Sequence, residues 1–158
     1  MSTAARTSSV IVVGVDGSAA SKAALRWAIA EATRRDCVVR AVAVSPTPEL
    51  MPATSLAMEP RGMRFPVHDP AENARRLATL IEEASAGIGA PATVVPVTVT
   101  GEPASELVKS AADADLLVLG GHEHGGLSEV FLGSVAADAL RHAPCPVVIM
   151  PPHLAKDW

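Results

Sequence analysis

Val10-Ile11-Val12-Val13-Gly14-Val15-Asp16-Gly17-Ser18 is the stretch on which the fold is read. Its opening residues are apolar and mostly β-branched, without alternation, as in a strand covered on both faces. Asp16-Gly17 forms a turn, and Ser18 stands where a helix cap belongs. Behind it Ala20, Ala23, Ala24, Trp27, Ala28 and Ala32 recur at helical spacing to about Arg35. Trp27 is the bulky member of that stripe and reads as helix–sheet packing rather than a ligand stack. A buried strand running directly into an amphipathic helix is the first half of a βαβ unit.

The alternation continues to the end of the chain. Residues 37–44 form a second apolar strand, and residues 71–88 an amphipathic helix with Ala74, Leu77, Ile81, Ala84 and Ile88 near one face. Residues 94–99 form a third strand, and Pro96, which has no N–H, suits the sheet edge. Gly101-Glu102-Pro103 opens a short helix with Leu107 and Val108 facing the core. Residues 115–119, a helix over 133–141 and a last strand over 147–150 complete the pattern, with Pro144-Cys145-Pro146 as the helix stop. The expected fold class is α/β: a doubly wound (Rossmann-like) five-stranded parallel sheet with helices on both faces. One domain spans 8–151, and residues 1–7 and 152–158 are expected to be flexible. The long segment 46–70 breaks the pattern. It is rich in proline, contains Met51, Met58 and Met63, and reads either as soft apolar bulk at a groove edge or as a lid.

Composition narrows the function. The 158 residues are 49% apolar but only 3% aromatic, so the core is built from small aliphatic side chains. A formal net charge of -4 with no run of Lys or Arg argues against a nucleic-acid partner. No stretch approaches the ~18 continuous apolar residues of a membrane span. The N-terminus lacks the apolar core of a secretory signal, and Cys37 and Cys145 read as buried thiols rather than a disulfide. These features point to the cytoplasm.

In open α/β sheets ligands bind beyond the carboxyl ends of the strands. Three segments meet there: Val15-Asp16-Gly17-Ser18, Ala43-Val44-Ser45, and the glycine-rich run from Gly120 to Ser134. Asp16 suits either a ribose or metal contact or a turn cap. Gly120, Gly125, Gly126 and Gly133 allow close backbone approach to a phosphate, or merely serve a loop. Ser134 suits a phosphate contact or a helix cap. There is no P-loop and no dinucleotide fingerprint after the first strand. His122 and His124 flank Glu123 without further ligands, so no metal site is expected. No nucleophile elbow or catalytic base stands out, so no catalytic residue is expected.

Several segments in combination resemble the universal stress protein family: Ile11-Val12-Val13-Gly14-Val15-Asp16-Gly17-Ser18, Gly101-Glu102-Pro103-Ala104, Ala114 to Gly120, Gly126-Leu127-Ser128 through Ala136, and Leu140 to Val147. The resemblance implies a small cytoplasmic α/β protein that acts in the stress response, commonly as a homodimer paired through its last strand. One branch of that family binds ATP through G-x2-G-x9-G-[ST]; another lacks the motif and does not. By resemblance the nucleotide contacts fall on Val15, Asp16, Ala43, Gly120, His122, Gly133, Ser134 and Val135, with Ala43 near adenine and Asp16 at the nucleoside end. The second glycine of the motif is replaced by Glu123. A carboxylate there opposes polyphosphate unless Mg2+ or an outward rotamer relieves it. The expectation is an ATP-binding regulatory module with little or no turnover. The alternatives are a dimeric partner-binding protein that holds no nucleotide and, less favoured, an ATP-hydrolysing enzyme.

Overall fold

The computed structural model describes residues 8–47, 69–123 and 130–157. Most of the 46–70 segment, His124, Gly125, Gly126 and residues 1–7 lie outside the described residues. The chain runs β1 (Val10–Gly14), α1 (Ala19–Arg35), β2 (Val38–Ser45), α2 (Pro70–Ser85), β3 (Val94–Thr100), α3 (Pro103–Ser110), β4 (Leu116–Gly120), β5 (His122–Glu123), β6 (Val130–Phe131), α4 (Ser134–His142) and β7 (Val147–Met150), then a 3-10 helix, Pro152–Lys156. Five strands form one sheet in the order β3-β2-β1-β4-β7, and every pairing in it is parallel. The doubly wound reading of the sequence holds.

Winding starts at β1 and moves outward to β3, then returns to β4 on the other side of β1. Parallel crossovers are right-handed, so reversing direction puts the later helices on the opposite face. Accordingly Ile11, Val13, Val39, Ala41, Ala43 and Val118 pack with α1 and α2, whereas Val12, Val42, Leu117 and Leu119 pack with α3 and α4. Both layers are closed to solvent at their centres: Val12, Val13, Val39, Val42, Leu117 and Val118 are fully buried. Burying side chains such as Leu25, Ile29 and Leu77 contributes about 1.5–3 kcal/mol each.

Local signals set the helix starts. Ser18 Oγ accepts the Ser21 N–H at 3.2 Å and caps α1. Asp69 caps α2 through the Ala71 and Glu72 amides, and Glu102 caps α3 through Ala104 and Ser105, with Pro70 and Pro103 in the first turns. Pro96 does sit in an edge strand, paired with Ala41 on one side only among the described residues.

Three details depart from the sequence reading. The buried stripe of α2 is Asn73, Leu77, Leu80 and Ala84, with Ile81 and Ile88 packed against the core as expected, but Ala74 is exposed and Asn73 takes its place. Ala74 and Asn73 both lie one turn before Leu77, and α2 seats on the side that lets Asn73 Nδ2 donate to Ser45 Oγ at 2.9 Å. The helix ends at Ser85, where Arg26 of α1 donates to the carbonyls of Ala84 (3.0 Å) and Ala86 (2.7 Å). The tail beyond Met150 is wound into its 3-10 turn, and Leu154 and Ala155 pack against the α1 side of the core. Cys37 belongs to the α1/α2 layer and Cys145 to the α3/α4 layer, so the sheet separates the two free thiols. Burial, and after it the charge of Asp115, pushes the Cys145 thiol up.

Candidate nucleotide crevice at the carboxyl edge of the sheet

Strand order reverses between β1 and β4, so the loops leaving these two strands diverge to opposite faces, which is where open α/β sheets place their ligand crevice. On the β1 side the backbone turns at Gly17, whose φ of 85° lies in the region that favours glycine. Asp16 Oδ1 accepts the Ser18 N–H at 2.8 Å, closing an Asx turn, and the Asp16 N–H donates to Ser21 Oγ at 3.3 Å. Asp16 thus serves the turn, and the residue is still exposed at the crevice mouth. Ser21 is 3% exposed inside an alanine-rich helix, and sequence reasoning passed over it. A serine three residues behind a serine cap was the available signal.

Val15 and Ala43 are 3% and 2% exposed, with side chains in the α1/α2 layer. The Val15 N–H donates to the Val42 carbonyl at 2.8 Å. Their side chains are committed to the core, so what either residue offers at the strand end is its main chain. Ser45 closes the β2 end: its carbonyl accepts the Gly101 N–H at 3.0 Å and its hydroxyl accepts from Asn73. Asn73 was also missed, because polar residues inside an apolar stripe look like surface positions until the helix is seated.

On the β4 side, Gly120 ends the strand beside α1, and the Gly121 N–H donates to the Met150 carbonyl at 2.8 Å. The chain then makes a short antiparallel ladder, pairing His122 with Phe131 and Glu123 with Val130. That ladder was not legible as anything but a glycine-rich loop. Strand pairing keeps the backbone of Glu123 extended, a conformation open to any side chain.

Gly133 is the N-cap of α4 (φ -57°, ψ 164°), and its carbonyl accepts the Ala137 N–H at 3.0 Å. Ser134 is the first helical residue rather than the cap. Unlike the N-caps of α1, α2 and α3, Gly133 has no side chain, and among the described residues no side-chain cap bond is made at the start of α4. Its leading amides and the positive end of its dipole are the groups that favour an anion. Val135 is half-buried against the α3/α4 layer. Among the described residues no three His, Cys, Asp or Glu side chains gather as a metal site would require.

The universal stress protein family matches residues 8–151, nearly the whole chain. The chain belongs to the universal stress protein family. A universal stress protein of Mycobacterium tuberculosis is 35% identical over 141 residues, covering 89% of this chain and 46% of that protein. The chain therefore spans about half the length of that relative. UspA from Lactobacillus plantarum superposes with a TM-score of 0.63 at 23% identity, covering 90% of this chain and 97% of that one. The universal stress protein from Archaeoglobus fulgidus solved in complex with dAMP has a TM-score of 0.59 at 20% identity, covering 92% and 98% of the two chains. In this universal stress protein domain Gly120 and Gly133 bracket the β5–β6 excursion, with the Asp16 turn beyond the neighbouring strand β1. No helix among the described residues is long and apolar enough to cross a membrane.

Proposed function

We propose that this universal stress protein binds a nucleotide, ATP before others, in the crevice between the β1 and β4 loops, and turns it over slowly or not at all. The observation that carries the reading is the N-terminus of α4, whose N-cap is Gly133, a residue with no side chain, at the same sheet edge as the Asp16 turn. The residues fit the parts of a nucleotide. Main-chain groups of Val15 and Ala43 suit the base end, and the Asp16 carboxylate suits a ribose hydroxyl. The amides of Gly133, Ser134 and Val135 suit phosphate oxygens, and the ladder pairs His122 with Phe131, two residues before Gly133. Mg2+ supplies charge neutralisation where Glu123 opposes the phosphates. Similar proteins solved in complex with cAMP and with dAMP support a nucleotide class of ligand.

Calorimetric titration with ATP and Mg2+ tests the reading. Heat of binding together with a thermal shift, and phosphate release slower than one turnover per minute, is the expected result. Silence of both signals at millimolar ATP overturns it. Glu123 favours a second reading, a dimeric stress-response module that holds partners and no nucleotide, and that silence would establish it. In either reading the chain acts in the cytoplasm as a homodimer paired through β7, without nucleic acid or membrane.

A further inference from the structure

Gly120 ends β4 where a side chain has no room. A Cβ on it would lie 2.8 Å from the Ala20 carbonyl carbon, 2.8 Å from the Ser21 nitrogen and 3.0 Å from the Ala20 Cβ. Two of these atoms are helix backbone, which cannot rotate aside. Gly14 makes the contrast: a Cβ there would meet Leu119 Cδ2 at 2.8 Å and Leu107 Cδ2 at 3.1 Å, the ends of movable side chains. At Gly121 the nearest atoms are 3.4 Å away, close to ordinary contact. The space beside Gly120 that glycine leaves is therefore already filled by α1, and a phosphate cannot enter it from that side.

The atom a Cβ would strike belongs to a hydrogen-bonded chain that leads to the crevice. Ser21 N donates to Ser18 Oγ at 3.2 Å. Ser21 Oγ donates to the Ser18 carbonyl at 3.1 Å and accepts the Asp16 N–H at 3.3 Å. Asp16 Oδ1 accepts the Ser18 N–H at 2.8 Å. Contact thus runs from the end of β4, through Ser21, to the carboxylate at the nucleoside end.

We propose that Gly120 is a positioning residue: lacking a side chain, it lets the first turn of α1 seat on β4 and so sets the Asp16–Ser18 turn, rather than opening the loop to phosphate. The inference takes its ligand from the nucleotide reading above. Its geometry stands independently of that reading.

The experiment compares wild type with Gly120→Ala and Ser21→Ala. Without ligand, Gly120→Ala shifts the amide proton–nitrogen resonances of Asp16 to Ser21, and unmoved resonances there overturn the proposal whatever the chain binds. With ligand, calorimetry gives Kd for adenosine and for ATP. Gly120→Ala weakens both by the same factor, about tenfold, because the shared nucleoside end has moved. Weaker ATP with unchanged adenosine marks a phosphate contact and overturns the proposal. Should Gly120→Ala fail to fold, Ser21→Ala carries the binding comparison. Loss of one hydrogen bond to Asp16 weakens both ligands about threefold, and unchanged affinity for both overturns the link. A wild-type chain that binds neither ligand defeats the nucleotide reading alone, and the resonances still decide the role of Gly120.

Discussion

Asp16 has two tasks that one pair of substitutions separates. Its Oδ1 accepts the Ser18 N–H at 2.8 Å, and Ser18 in turn caps α1. Asp16→Ala removes that acceptor and leaves the turn to water, at a cost of about 1 kcal/mol for one exposed hydrogen bond. For a chain of this size that lowers Tm by about 2–4 °C. Asp16→Asn keeps an amide oxygen at the Oδ1 position, so the turn and Tm are retained while the charge is lost. If the carboxylate also accepts a ribose hydroxyl, both variants lose ATP affinity about tenfold, the worth of a hydrogen bond to a charged group. Urea denaturation of the apo protein measures the first effect, and titration calorimetry the second. Equal apo stability in wild type and Asp16→Ala would refute the role in the turn. Full ATP affinity in Asp16→Asn would refute the charge as a ligand contact.

Glu123→Gly should tighten ATP binding, and the gain should shrink as salt rises, because like-charge repulsion is screened; a Kd indifferent to both changes places the carboxylate away from the phosphates. β7 is a four-residue strand at the sheet edge, bracketed by Pro146 and Pro151. Its open side should pair with a second copy, so Val148→Asp should convert a sedimenting dimer to single chains, and a wild type that already sediments as one chain refutes the pairing. The Arg40 guanidinium, by hydrogen bond and then by charge, holds the Asp113 carboxyl below its ordinary value. Folded Asp113 therefore binds its proton less readily than unfolded Asp113. The pair stabilises the fold above the unfolded carboxylate pKa, and the contribution vanishes as pH falls through the lowered value. Arg40→Met should flatten the acid side of a Tm-against-pH curve, and an unchanged slope there would show that the ion pair is unimportant.

What the sequence determined by itself is local or periodic. The run of β-branched residues from Val10 to Val13 reads as a strand covered on both faces, as layered α/β folds provide, and Ser18 and Pro103 mark helix starts because caps act within one turn. Pro96 announced its edge because a missing N–H is a property of the residue alone. The motif positions Gly120, Gly133 and Ser134 were legible for the same reason, as letters at a spacing. Tertiary structure decided whatever depends on a neighbour distant in the chain. That Asn73 and not Ala74 opens the buried stripe of α2 goes with Ser45, a residue distant in the chain that accepts from Asn73. The tail is held in place by Leu154 and Ala155 meeting a layer built from α1 and the sheet. The reason for glycine at 120 is a helix turn about a hundred residues earlier in the chain, at 2.8 Å. A spacing motif records that a glycine is required there, but only packing shows which atoms require it, since the sequence carries no distance between Gly120 and Ser21.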